Sequence, residues 1–234
     1  MWWSIAVVGF ILLNLVFYPT FKDQAAELNN SLSQLPESAK ALFAGSSDFV
    51  SPVGYLNSQI FFLMLPMLLT ILTIGLGASI VAKEEREGTI ELLLARPVSR
   101  NRLLLSKAIS AIIILLVVSS MAFLSISVTA KIVDIAVPLR YIAVATLGSV
   151  VLALCFGSIA FLITMLSKSS KAASIGVATL IAFGGYIIVS LSSTVKWLKN
   201  PGKIFPAYYY KNEDILSGII NLNYFIFPVS IIIV

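Results

Sequence analysis

Apolar positions in this chain come in long unbroken runs, not in the alternating or single-face patterns of a soluble fold. The runs occupy Trp2–Tyr18, Ile60–Ala82, Leu103–Ala130, Tyr141–Leu166 and Ala172–Val195. About 20 mainly apolar residues in a helix cross the ~30 Å hydrocarbon core of a bilayer. Each run is therefore predicted to be a membrane-spanning helix. A sixth begins at Tyr224 and stops with the sequence at Val234; its 11 residues make about 16 Å of helix, too short to cross. A missing C-terminal end is expected. The predicted fold is an all-α integral membrane domain over 1–234, with six spans of which the sixth is truncated. The spans are set at about 2–18, 55–82, 103–130, 141–166, 172–195 and 224–234. Loops 19–54, 131–140 and 196–223 then lie on one side of the membrane, and 83–102 and 167–171 on the other.

The first run has no charged segment before it and no small-residue cleavage site before Pro19 and Thr20, so an anchored span is favoured over a removable signal peptide. Its abrupt start also suggests a trimmed N-terminal end.

Composition agrees with a membrane protein. Of 234 residues, 59% are apolar and 12% charged, against about 45–50% and about 25% in a soluble domain. The sequence has no histidine, which excludes a Ser-His-Asp triad, histidine-ligated zinc and histidine proton relays. Cys155, the single cysteine, lies within an apolar run and reads as a small packing residue. No metal site is predicted. The net charge of +5 sits in short segments between runs, which is how membrane proteins are oriented. It does not form a basic domain able to hold nucleic acid.

That distribution sets an orientation. Residues 83–107 and 167–171 carry eight of the sixteen basic side chains in about 30 positions, whereas the alternate loops spread the other eight over about 74. Basic loops stay in the cytoplasm. The chain is expected to sit in the cell membrane as a multi-pass protein with a cytoplasmic N-terminus. In the first outer loop, Leu28, Leu32 and Leu35 recur at helical spacing, and Pro36 opens a second short helix that Gly45 can close. In the last outer loop, Tyr208–Tyr210 is read as an interfacial aromatic belt in preference to a ligand site.

The segment between spans two and three holds the clearest pattern. On a helix at ~100° per residue, Glu84, Glu87 and Glu91 fall within roughly 60° of one another, beside Gly88 and Ala95. Ile90, Leu93 and Leu94 cover the broad opposite side. Pro97 ends the helix, and Ser99 is a plausible N-cap for span three. Such a helix either lies on the membrane surface or faces a partner protein. Surface helices usually carry lysine and arginine on the polar face, and an anionic leaflet would repel three glutamates. A partner is favoured.

The run Glu85-Arg-Glu-Gly88-Thr89-Ile-Glu91-Leu92-Leu93-Leu-Ala-Arg-Pro97-Val-Ser99-Arg100 resembles the signature of type-two ABC exporter permeases. Leu35-Pro36, Ser51-Pro52-Val-Gly54-Tyr55-Leu56 and Phe205-Pro206 with Tyr208–Tyr210, Asp214 and Gly218 are similar to its outer loops, so the likeness covers nearly the whole chain. The ends depart from the family, which has an N-terminal cytoplasmic segment and a complete sixth span. The resemblance implies that 84–100 is a coupling helix docking on an ATP-binding subunit, and that two permeases pair. It also implies export, with ATP and magnesium on the partner. In keeping with that, no Gly-x-x-x-x-Gly-Lys-[Ser/Thr] phosphate loop occurs; the only Gly-Lys pair, Gly202-Lys203, precedes Ile204. This chain is thus expected to be a permease subunit and not itself an enzyme.

No charge lies deep in any run, which disfavours an ion or proton path. A secondary transporter would need such groups or an inverted repeat, and an intramembrane enzyme would need acids the spans lack. A secondary transporter, or another polytopic protein without an ATPase, remains the alternative. Small residues such as Gly75, Gly77, Gly157, Gly176 and Gly184 are read as helix-packing positions. A substrate path lined by Phe61, Phe62, Met64 and Met67 is the weaker possibility at the outer half of span two.

Overall fold

The structure, a computed structural model, describes residues 2–24, 27, 30–31, 34–43, 51–87, 100–167 and 171–233. Within these residues the regular structure is helical. Helices α1 (Trp2–Val16), α2 (Met64–Glu87), α3 (Arg100–Ile132), α4 (Leu139–Ser167) and α5 (Lys171–Leu191) carry the five long runs, and α6 (Asn223–Ile233) the sixth. Five stretches among the described residues are long and apolar enough to cross a membrane: Trp2–Asp23, Pro52–Ser79, Arg102–Ile132, Leu139–Leu166 and Lys171–Leu191. Lipid offers the backbone no hydrogen-bond partners, so such sequences close their own bonds as helices.

Helices α2 and α4 form the centre and run in the same direction. They meet where a Cβ on Gly77 would lie 2.3 Å from the Gly157 carbonyl oxygen, and one on Gly157 would lie 2.9 Å from Thr73 Cβ. This close approach lets Thr73 Oγ1 donate to the Ala153 carbonyl at 2.6 Å. Gly77 and Gly157 are therefore packing residues, as small residues in spans commonly are. Gly75, Gly176 and Gly184 do not pack against another helix of the same chain: an added Cβ at each meets nothing within 4 Å. Two other glycines receive loop aromatics instead. Gly185 accepts the Phe205 ring and Gly148 the Tyr210 ring, each too close for a comfortable Cβ.

On one flank, Ser4, Val7, Ile11 and Leu15 of α1 repeat every three or four residues and bury against α3. There Leu115, Val118, Ala122 and Ile126 of α3 join the main core. The far side of α3 exposes Ile109, Ile113, Leu124 and Val128, the surface expected to meet lipid. On the other flank, α5 turns Ser174, Ala178, Ala182 and Gly185 inward, and a second apolar cluster forms with Ile74, Leu152, Phe156 and Ala160.

The entry to α2 departs from the continuous span expected over 55–82. A short helix Pro52–Leu56 is capped by Ser51, whose Oγ accepts from Gly54 N at 3.0 Å. It runs into a widened turn, Asn57–Phe61, in which Phe62 N bonds the Asn57 carbonyl at 2.7 Å, five residues back. Pro66 follows and has no N–H to offer the Phe62 carbonyl.

In the loop between the first two spans the helix expected after Pro36 is found at Glu37–Phe43; the stretch over Leu28–Leu35 falls partly outside the described residues. The last loop winds through short helical turns at Lys196–Leu198, Lys199–Gly202, Pro206–Tyr209 and Asn212–Leu216. It is drawn back into the bundle, which corrects the aromatic-belt expectation for Tyr210. That side chain points inward and hydrogen-bonds Ser149 Oγ (2.7 Å) and the Phe61 carbonyl (3.0 Å). Beside it, Tyr209 stacks on Phe227 of α6 at 4.4 Å between centroids.

Candidate functional site

A cavity of about 340 Å³ opens beside the start of α2, the middle of α4 and the end of α5. Three helix faces build it. Phe62, Pro66, Met67 and Thr70 come from α2 and its entry turn, Leu152 and Phe156 from α4, and Ala182, Tyr186, Val189, Ser190 and Ser193 from α5 and its end. Apart from the adjacent pairs Pro66–Met67 and Val189–Ser190, successive members of each set are three or four residues apart, so each set projects from one side of its helix. The fourth wall is the last loop, which contributes Tyr210, Lys211, Asn212, Glu213 and Asp214. The lining is mainly apolar and aromatic, with polar groups at a few fixed places, the usual make-up of a small-molecule site.

The disrupted start of α2 fixes this wall. Its Phe61 and Phe62 carbonyls take donors from outside their own helix: Tyr210 Oη donates to Phe61 and Tyr186 Oη to Phe62, at 3.0 and 3.2 Å. Tyr186 also packs edge-on against Phe62, centroids 5.4 Å apart. Asn212 Nδ2 donates to Asn57 Oδ1, joining the loop to the widened turn; both asparagines are buried. Burial pushes the Tyr210 phenol above its ordinary range, with the Ser149 hydrogen bond pulling the other way, so it stays a neutral donor. Nearer the loop, Asp214 Oδ2 accepts from Tyr224 Oη at 2.8 Å. Lys211 Nζ lies 5.2 Å from the centre of the Tyr208 ring.

Of the four path residues expected from sequence, Phe62 and Met67 line the cavity. Phe61 has its side chain enclosed in the core, and Met64 faces the bundle surface. Sequence reasoning overlooked Tyr186 and the Asn57–Asn212 pair, and placed Tyr210 in an interfacial belt. A signal was there: Pro66 inside an apolar run creates a carbonyl that needs a foreign donor, and Tyr186 is a hydroxyl in another run. The backbone of Glu84, Glu85 and Glu87 forms the last turn of α2, and Arg100 opens α3. Gly88, Thr89, Glu91, Leu92, Leu93, Pro97 and Ser99 lie outside the described residues. Among the described residues no group of three or more Cys, Asp or Glu side chains is placed to hold a metal.

Five helices of membrane length among the described residues are those of a multi-pass membrane protein. The chain belongs to the ABC-2 family of transporter proteins, whose family model matches residues 1–224. It is thus a permease component of an ABC transporter. No curated protein and no solved structure matches it.

Proposed function

We propose that this chain is the membrane-spanning subunit of an ATP-driven exporter and that it works with a separate ATP-hydrolysing subunit. The observation that carries this is family membership combined with the acidic, leucine-backed segment Glu84–Arg100 between α2 and α3. Positive-inside logic assigns that segment, rich in basic residues as well, to the cytoplasm. The N-terminus shares that side, and the cavity opens toward the outer face of the cell membrane.

The geometry of α2 supports a coupling role. Its 24 residues make a rod of about 36 Å, with Met67 and Thr70 at the cavity end and Glu84–Glu87 at the other. Force applied to the far end by an ATPase subunit would move the cavity wall. ATP and magnesium would reside on that subunit. A second permease copy is expected beside the first, since α5 leaves Gly176, Val177 and Leu180 uncovered and small residues favour close helix contact.

The test is on the segment itself. Gly88→Pro would cost ~3 kcal/mol of local helix stability, and Glu91→Lys would reverse one charge on the acidic rib. Expression and insertion should be normal, with loss of ATPase-subunit co-purification or of transport-coupled ATP hydrolysis. Ile114→Leu, on the exposed face of α3, should change nothing. Wild-type assembly and coupled hydrolysis in both segment variants would remove the coupling assignment.

A further inference from the structure

The cavity is lined by residues of a single copy of the chain, and its charged side chains are unevenly placed. Among the described residues that line it, the charged side chains are the carboxylates Glu213 and Asp214 and the ammonium of Lys211. These three adjoin one another in the loop, so charge gathers on one side of the cavity while the helix walls are apolar. The walls present aromatic side chains, Phe62, Phe156, Phe183 and Tyr186, whose π faces attract cations and repel anions. Lys211 already lies over an aromatic face, that of Tyr208. At about 340 Å³, the space falls at the small end of ligand pockets, roughly 300–1,000 Å³.

We infer that this cavity binds a small amphipathic cation, with its apolar body between α2, α4 and α5 and its cationic head toward Glu213 and Asp214. An anion of the same shape would meet two carboxylates and the negative faces of the rings. A neutral analogue would keep the apolar contacts and lose the electrostatic ones. The inference deepens the transport assignment and rests on it only in treating the ligand as cargo; binding itself is a property of this chain.

Binding is measured on the full chain in zwitterionic lipid nanodiscs, using tritiated (4-phenylbutyl)trimethylammonium and subtracting empty discs. Unlabelled 5-phenylpentan-1-ol and 5-phenylpentanoate serve as neutral and anionic competitors of similar length. Saturable binding is expected, displaced better by the neutral competitor than by the anion. The double variant Glu213→Gln, Asp214→Asn should weaken the cation about tenfold and leave the alcohol within about twofold. The Asp214→Asn side chain keeps a carbonyl oxygen for Tyr224. Val189→Phe, which fills the cavity from α5, should weaken all three ligands while the variant remains monodisperse in detergent. The inference is overturned by absence of saturable binding, by an anion that competes as well as the alcohol, or by unchanged cation affinity in the double variant. Because no ATPase subunit is present, these outcomes are independent of the coupling test on Gly88 and Glu91.

Discussion

Replacing Tyr186 by phenylalanine removes one oxygen and leaves the ring against Phe62. What disappears is the donor to the Phe62 carbonyl, 3.2 Å away. That carbonyl has no ready substitute. Pro66, four residues on, carries no N–H, and the N–H of Met67 is committed to the Leu63 carbonyl at 2.9 Å. An unsatisfied buried polar group costs ~1–3 kcal/mol, while side-chain hydrogen bonds between membrane helices average ~0.6 and reach ~1.7 kcal/mol. The expected loss is therefore about 1 kcal/mol, near fivefold in the folded-to-unfolded ratio. It is measured by titrating SDS into mixed micelles and following far-ultraviolet circular dichroism. Pro66→Ala supplies the decisive second arm, because alanine at 66 restores an N–H four residues beyond Phe62. In that background Tyr186→Phe should cost no more than about 0.3 kcal/mol, the usual error of additivity. Equal cost in both backgrounds would refute the claim that the tyrosine replaces a missing helix bond.

Two further outcomes are expected. Gly157→Leu must push α2 away from α4, since its Cβ alone would lie 2.9 Å from Thr73 Cβ; a loss of about 1–3 kcal/mol in the same titration is expected. Gly176→Leu, which meets nothing within the chain, should leave single-copy stability unchanged, and equal losses at both sites would contradict the crossing described for α2 and α4. In a Cys155→Ala background, Lys203→Cys should react with an impermeant thiol reagent added to intact cells, and Arg96→Cys only after permeabilisation; the reverse pattern would invert the orientation and place the Glu84–Arg100 segment outside.

Much of this protein could be read from its apolar runs alone, because lipid leaves a spanning backbone almost no choice. A run of the right length must close its own hydrogen bonds, so α1 to α5 follow from composition and length without knowledge of their neighbours. The acidic segment before Arg100 was legible for a similar reason: helical periodicity is local, and the pattern needs no tertiary partner to be seen. Its dominant residues lie outside the described part of the fold, so its docking role still rests on sequence and family.

The cavity was a different matter. Phe62 and Met67 could be proposed as path residues because aromatic and methionine side chains suit apolar cargo, but identical reasoning also chose Phe61 and Met64, which point elsewhere. Which side of a helix faces a neighbour depends on crossing geometry, and a span that is apolar all round carries little one-sided signal. Only packing at Gly77 and Gly157 sets the level at which α2 meets α4. Only the folding-back of the last loop brings Tyr210 to Ser149 and Phe61, residues 61 and 149 positions away in sequence. Sequence thus determined which segments are long and apolar enough to cross a membrane, since that is settled between each segment and the lipid. Tertiary structure decided what the crossing segments enclose, since a carbonyl freed by Pro66 can be satisfied only by a hydroxyl that another helix carries to it.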